Sequence, residues 1–565
     1  MHNRHRIWCY RPGERDSARI GDLSRVSKIP TVLAKLLVSR NVGIAEVERY
    51  LQPQLLHLYE PNLLPGCARA AMLLLQAVQA KKKFAIYGDY DVDGMTATAI
   101  LVKALQLEGA DVISFIPNRL TDGYGLNPES IRELHEKGVQ VLVTVDCGVT
   151  ANAEVALAKE LGMTVIVTDH HQPDAELPKA DAIVHPDLFG HPDFQGNSAF
   201  QPLPDDVFLQ TESAKPAGSN VLLQVRPPSA TQPYPFAMLS GASVAFKLAW
   251  ALCQRFANGV RVGERRQNFI FEAIMLAAVG TIADVVSLTD ENRVIVTQGL
   301  ARLRQAPSMG LEALLKVCGL SDKSLFNTDD VSFYLAPRLN AAGRLEQAWL
   351  GVDLLTTEKP ENARETAIYL DDLNKKRREM ENRMYREAVA QVKTLYPTTD
   401  SPAAIVLASH GWHPGVIGIV AGRLAERYSA PTVLIALSKT GNGPGTGSAR
   451  GIANVPEFNL YDVLSQCSEY LIRFGGHSGA AGLKISEENI APFRDAFYEA
   501  VENTLPLDKR TPQLWIDSEE LLMIFTTPTV QALYRLAPFG TDNTAPIFAT
   551  TNVTLAQAPL PLGKQ

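Results

Sequence analysis

The residues most capable of chemistry are acids and imidazoles gathered in short clusters. Asp89, Asp91 and Asp93 alternate in DYDVDG, Asp146 opens DCG, His170 and His171 complete DHH behind Asp169, and Asp284 lies in GTIADVV. Carboxylates crowded together raise one another's pKa unless positive charge sits between them. A divalent cation is the simplest such charge. Carboxylate oxygens with an imidazole suit Mg²⁺ or Mn²⁺ better than the sulfur-rich sites of structural zinc. The ligands also outnumber the needs of one ion. Two ions ~3.5–4 Å apart would activate a water and stabilise the attacking and leaving oxygens at phosphorus.

Each cluster has an ordinary reading when taken alone. DxDxDG also occurs as a calcium-type or surface acidic loop, DHH as a surface turn or helix cap, and Asp146 could simply cap the next helix. The elements that carry them decide the matter. FAIYG (84–88), DVISFI (111–116), VQVLVTVD (139–146) and MTVIVTD (163–169) are short apolar runs separated by helical stretches at 96–107, near 128–137 and near 153–161. Such alternation predicts a parallel, doubly wound α/β sheet. Ligands of open α/β sheets lie beyond the C-terminal ends of the strands, where three of the clusters would then converge.

The rest of the 565-residue chain divides by pattern, and its length allows roughly three or four domains. Residues 1–80 have helical periodicity and form a helical lead-in, and the α/β domain is expected over 81–356. Within it, 187–236 is rich in Pro, Gly, Ser and Gln and reads as an inserted mobile loop. Helices resume at 246–256 and 269–283. The stretch 361–396, with no Gly or Pro after Pro360, predicts one long charged helix over 357–397, its charges either a solvated face or a DNA-contacting one. A second α/β region follows over 398–505, with strands in AAIVLA and PTVLIAL, a helix at 415–427, and two glycine-rich turns, GNGPGTGSARG and GGHSGAAG.

Composition excludes several classes. No window approaches ~18 uninterrupted apolar residues, which argues against a transmembrane span. The polar, Arg-rich start lacks the apolar stretch of a secretory signal. Six cysteines without a CxxC pair read as free thiols. A net charge of −7 means that any nucleic-acid site must gather its positive potential locally.

Asp146 with Gly148, followed by Asp169-His170-His171, resembles the DHH phosphoesterase superfamily. The stretches LQPQLLHLYEPNLLPGC, YGDYDVDGMTATAIL, IPNRLTDGYGLN, ADVVSLTDENRVIVTQGL, APRLNAAGRL, HPGVIGIVAGRLAERY and GGHSGAAG resemble its RecJ branch, covering about 45–186 and 237–550. That resemblance implies a 5′→3′ exonuclease on single-stranded DNA, active in DNA repair, recombination and mismatch repair. By position, Asp93, Asp146, His170 and Asp284 would hold one Mn²⁺ or Mg²⁺. Asp91 and Asp146, with Asp89, would hold a second, and His171 would contact the scissile phosphate. Arg338, Asn340, Arg344 and His477 would line the DNA path, while Arg119, Ser448 and Arg450 would form a pocket for the 5′-terminal phosphate. Tyr124 could stack on a base. Gly475, Gly476 and Gly479 would let a phosphate approach the backbone, and arginine grips phosphate oxygens bidentately.

The same resemblance makes 398–505 the DHH-associated domain and 506–565 the start of an oligonucleotide-binding barrel, with LAPFGTDNTAPIFATTNVTL as its opening. The sequence stops at Gln565, before enough strands for a closed five-stranded barrel. A cytoplasmic monomer is implied, acting with single-strand-binding, recombination or helicase proteins. Two other readings stand beside it. Small-substrate DHH phosphodiesterases and pyrophosphatases carry a His at the position of Tyr87. Non-catalytic DNA-binding scaffolds of the superfamily tend to have lost ligands that are all present here.

Overall fold

The computed structural model describes residues 7–11, 16–118, 123, 125–201, 233–396, 402–438, 443–452, 455, 458–505 and 513–558. The chain forms two compact units. One comprises Ile44–Asn374 with Gln531–Ala545, the other Met1–Gly43, Lys375–Val530 and Pro546–Gln565.

The first unit is built on a sheet of parallel strands: β1 (Lys83–Gly88), β2 (Asp111–Phe115), β3 (Val141–Val145), β4 (Thr164–Thr168) and β5 (Ala182–Val184), in the order β2-β1-β3-β4-β5. The strands read as continuous apolar runs because both faces are covered. Phe84 and Ile86 point into one core, Ala85 and Tyr87 into another. The first core is closed by helices α1 (Cys67–Gln79), α2 (Val92–Leu107), α5 (Gly241–Ala257), α6 (Glu264–Ala283) and α7 (Asp290–Gln305). The second is closed by α3 (Pro128–Glu136) and α4 (Asn152–Glu160). The doubly wound α/β class therefore holds. From β1 the chain crosses to β2 on one side and then returns to β3 on the other, so the strand order reverses between β1 and β3. A crevice opens at such a switch point, and the acids after β1 and β3 stand there.

Residues 187–201 are packed, contrary to the expectation of a loose insertion: Leu188, Ala199 and Phe200 are buried in the second core. Tyr234 and Phe236, at the far side of the insertion, are buried in the first. Apolar side chains scattered among the prolines anchor both ends; 202–232 lie outside the described residues.

Helix α8 (Ala336–Arg344) follows a π-turn at Val331–Leu335, and the long helix α9 (Pro360–Leu395) is continuous. Its apolar positions form two stripes. Ala363, Ala367, Leu370 and Leu373 enter the core of the first unit, and Met384, Ala388 and Val392 a core of the second. Of the intervening charges, Asp371 pairs with Arg338 and Arg377 with Glu381, all four side chains largely buried.

The second unit contains a mixed sheet in the order β9-β10-β8-β7-β6: β6 (Ile405–Ser409), β7 (Thr432–Ala436), β8 (Gly445–Arg450), β9 (Arg473–Gly476) and β10 (Ala480–Ile485). Only β6 and β7 pair in parallel. Helix α10 (Ile417–Tyr428) packs on β7 and β8. The lead-in is not wholly helical, because Ile7–Tyr10 is a strand paired in parallel with Gln513–Ile516. Ser518–Glu519 pairs with Phe548–Ala549. Residues 531–545, which include the first half of the expected barrel opening, pack with the first unit. All six cysteines are free. Among the described residues no helix is long and apolar enough to cross a membrane.

Candidate metal centre

Five segments of the first unit supply the centre. The turn after β1 carries Asp89, Asp91 and Asp93. Asp91 caps α2, its Oδ1 accepting from the backbone N–H of Asp93 and Gly94 at 2.9 and 3.1 Å. Asp93 is buried, and its carboxylate accepts from the amides of Gly241 (2.6 Å) and Ala242 (3.1 Å) at the start of α5. A helix N-terminus is a natural seat for an anion. Asp146 follows β3, His170 and His171 follow β4, and Asp284 caps the C-terminus of α6.

The imidazole of His170 is the hub. Its Nε2 lies 3.1 Å from Asp146 Oδ1, 3.7 Å from Asp284 Oδ2 and 3.9 Å from Asp93 Oδ2. Ligand atoms of Asp93, His170 and Asp284 lie within 4.8 Å of one another, as do those of Asp89, Asp91 and Asp146, and those of Asp146, His170 and His171. Asp146 thus belongs to two groups, and every acid predicted from the sequence stands in one of them.

Charge in this crevice is poorly tolerated without a cation. Burial and then the neighbouring Asp91 push the Asp93 carboxyl up to about 7. Burial and Asp93 push Asp284 up to about 9, and the same causes raise Asp146 well above its ordinary value. Burial, then His171, lowers His170 to about 3, leaving it neutral and able to ligate. Hard oxygens, one neutral imidazole and mutual carboxylate repulsion fit a divalent ion such as Mg²⁺ or Mn²⁺. Two glycines leave the space. A Cβ on Gly241 would lie 2.5 Å from Asp146 Oδ1, and one on Gly280 would lie 2.5 Å from Asp93 Oδ1.

Asp169 is turned to a different task. Its Oδ2 accepts from Val149 N at 2.9 Å, while Oδ1 accepts from the backbone N–H of His170 and His171 and lies 2.8 Å from His171 Nδ1. Burial opposes its ionisation, yet the His171 hydrogen bond and the nearby imidazoles outweigh burial and hold the carboxyl below its usual range. In return Asp169 raises His171 to about 9 against the effect of burial, so that ring is cationic at neutral pH.

Helix α8 packs on the acidic turn through small residues: a Cβ on Gly343 would sit 2.2 Å from the Tyr90 carbonyl oxygen. Its Asn340 and Arg344 are half-buried. Arg338 is bound to Asp371 on α9 at 2.8 Å and donates to the Tyr334 carbonyl, so its guanidinium is already engaged. In the second unit, Arg450 donates to Ser448 Oγ at 2.9 Å, and Gly418 on α10 lies against both: a Cβ there would sit 2.7 Å from the guanidinium. His477 is exposed, its backbone N–H bonded to the Ala480 carbonyl. Arg119 and Tyr124 lie outside the described residues.

Sequence reasoning missed Gly241, Gly280 and the positioning role of Asp169. Only the last left a sequence signal, the first letter of DHH.

Residues 83–199 match the model of the DHH family N-terminal domain, and 401–503 match the DHHA1 domain. The chain is 36% identical over 526 residues to the single-stranded-DNA-specific exonuclease RecJ of Haemophilus influenzae, covering 92% of this chain and 82% of that protein. The chain belongs to the RecJ family. The RecJ of Bacillus subtilis is 37% identical over 96% of this chain, which spans 61% of the length of that relative. The crystal structure of Thermus thermophilus RecJ in complex with Mn²⁺ superimposes with a TM-score of 0.74 at 31% identity, covering 97% of this chain and 70% of that one. The RecJ fold is therefore shared by both sheets and α9, and Asp89, Asp91, Asp93, Asp146, His170 and His171 fall within the DHH match, with Asp284 beyond it.

Proposed function

We propose that this chain hydrolyses single-stranded DNA from the 5′ end, releasing mononucleotides, at two Mn²⁺ or Mg²⁺ ions. Asp93, Asp146, His170 and Asp284 would hold one ion; Asp89, Asp91 and Asp146 the other. The observation that carries this reading is the place of Asp146 in two ligand groups, between the N-capping turn of α2 and the His170 imidazole. When bound, such a pair supplies an activated water and electrostatic stabilisation of the attacking and leaving oxygens.

The protein groups have separable tasks. The amides of Gly241 and Ala242 orient Asp93. Asp169 fixes the His171 ring and keeps it charged, so His171 can meet the scissile phosphate as a cation. Asn340 and Arg344 stand on the helix that packs against the acidic turn, which suits them to the DNA path; Arg338 and His477 complete that assignment, as does Tyr124. Ser448 and Arg450, with Arg119, would bind the 5′-terminal phosphate. A cytoplasmic monomer working beside single-strand-binding and recombination proteins completes the reading.

Tyr87 speaks against a small-substrate phosphodiesterase. It is buried, stacked on Phe115 at 5.0 Å, and donates to the Gly125 carbonyl at 3.0 Å, so it is a core residue with no ligand role. The test uses 5′- and 3′-labelled single-stranded DNA, duplex DNA and RNA, with products resolved by length. Mononucleotides from the 5′ end of single-stranded DNA alone support the proposal; equal cleavage of duplex or RNA, or release from the 3′ end, overturns it.

A further inference from the structure

The turn that follows Asp284 is held in an unfavourable shape by the distant Thr541 and by the helix that follows the turn. Val285 has φ of 62°, the left-handed region that β-branched residues rarely adopt. The residue is 68% exposed, so packing of its side chain does little to stabilise the conformation. Strained backbone of this kind persists only where its surroundings over-determine it. Here the constraint comes from both sides. Thr541 Oγ1 donates to the Val285 carbonyl at 2.7 Å, and the Thr541 carbonyl accepts from Leu288 N at 2.9 Å. On the other side, the buried side-chain amide of Asn292 donates to the carbonyls of Ser287 (2.9 Å) and Met238 (2.6 Å).

The turn containing Thr541 is itself rigidly seated. Asn543 donates to the carbonyls of Leu536 and Pro538 at 2.8 and 2.6 Å, and the guanidinium of Arg293 donates to those of Arg535, Leu536 and Ala537. Met238 immediately precedes the segment whose Gly241 and Ala242 amides hold Asp93. Asn292 therefore links the backbone behind one proposed ligand to the backbone behind another.

We propose that Asn292 and Thr541 are positioning residues that set the place of Asp284 and thereby the affinity for a cation. Residues 540–543, read from sequence as the opening of a separate barrel, would then serve the metal centre. The inference rests on Asp284 being a ligand, as proposed above. The test is Mn²⁺ binding by calorimetry to cation-stripped full-length protein, with the unfolding temperature recorded for each variant. Thr541→Val and Asn292→Leu should each weaken Mn²⁺ binding about tenfold, the scale of losses behind metal ligands, while the protein stays folded. Val285→Gly added to Thr541→Val should restore most of the loss, because glycine accepts positive φ without strain. Asp284→Ala is measured in parallel. If Asp284→Ala weakens binding but folded Thr541→Val and Asn292→Leu match the parent, the positioning role is wrong. If Asp284→Ala also matches the parent, the ligand assignment itself has failed, and the inference falls with it.

Discussion

Replacing Gly280 by alanine should damage the metal centre, although Gly→Ala inside a helix ordinarily stabilises. Gly280 lies in α6, and an added Cβ would meet Asp93 Oδ1 and Thr96 Oγ1 at 2.5 Å and Ala242 Cβ at 2.6 Å. Each contact is about 1 Å short of ordinary van der Waals separation. All three neighbours are buried, so none can swing into solvent. Overpacking costs about 1–3 kcal/mol, against a gain of about 1 kcal/mol from helix propensity. The net expectation is destabilisation of about 0–2 kcal/mol. The larger effect should be on catalysis. Relief requires Asp93 to shift away from the Ala242 amide, and a 1 Å misplacement can cost about 10²-fold in rate. Gly21 is the control: it sits in the helix Ser17–Ser27 with nothing within 4 Å of its Cβ position. Gly21→Ala should stabilise by about 0.5–1 kcal/mol and leave the rate alone. Thermal unfolding and initial rates on single-stranded DNA in saturating Mn²⁺ read both effects. A folded Gly280→Ala protein within about threefold of the parent rate, a barrier change under 1 kcal/mol, would refute the reasoning.

Three further predictions follow from the same geometry. Asp146→Ala removes a group shared by two ligand sets and should lower the rate by at least ~10³, measured on protein shown to be folded. Burial and then Asp93 raise Asp284 to about 9, and Asp169 outweighs burial to raise His171 to about 9. Between about pH 7 and 9 the folded, cation-free protein therefore binds protons that the unfolded chain has released, and its stability should fall as pH rises. Unfolding temperatures in chelator should show this slope, and excess Mn²⁺, by displacing the Asp284 proton, should flatten it. Arg450→Ala should abolish most of the preference for 5′-phosphate over 5′-hydroxyl ends, since a terminal phosphate carries nearly two charges; competition between the two substrates measures it.

The sheet was legible because buried parallel strands are written as unbroken apolar runs, and FAIYG or VQVLVTVD can be little else. The acids were legible for a related reason: polar groups placed directly after such runs must emerge at the crevice. Helix starts were less clear. Helix α2 begins at Val92, not near Thr96, because Asp91 caps it through a glycine-containing turn that interrupts the apolar pattern. Helix α5 begins at Gly241 behind a Ser240 cap, where the expected start was Phe246. What could not be read was contact between segments far apart in the chain. Gly280 is an ordinary helix glycine until Asp93 is placed beside it, and Asn292 becomes informative only when Met238 and Ser287 meet its amide. Residues 531–545 resembled part of a separate barrel, yet their carbonyls, gathered by Arg293, bind them to the first unit. Local sequence holds no trace of such partners.

The central claim is that the buried carboxylate and imidazole cluster hydrolyses DNA through divalent cations. Its most direct test is the rate of nucleotide release from 5′-phosphorylated single-stranded DNA by chelator-stripped protein as Mn²⁺ is titrated back. Activity should be absent at the start, rise to a plateau with added Mn²⁺, and remain absent throughout in Asp146→Ala. Full activity in the stripped protein, or an Asp146→Ala protein that recovers the parent plateau, would contradict the claim.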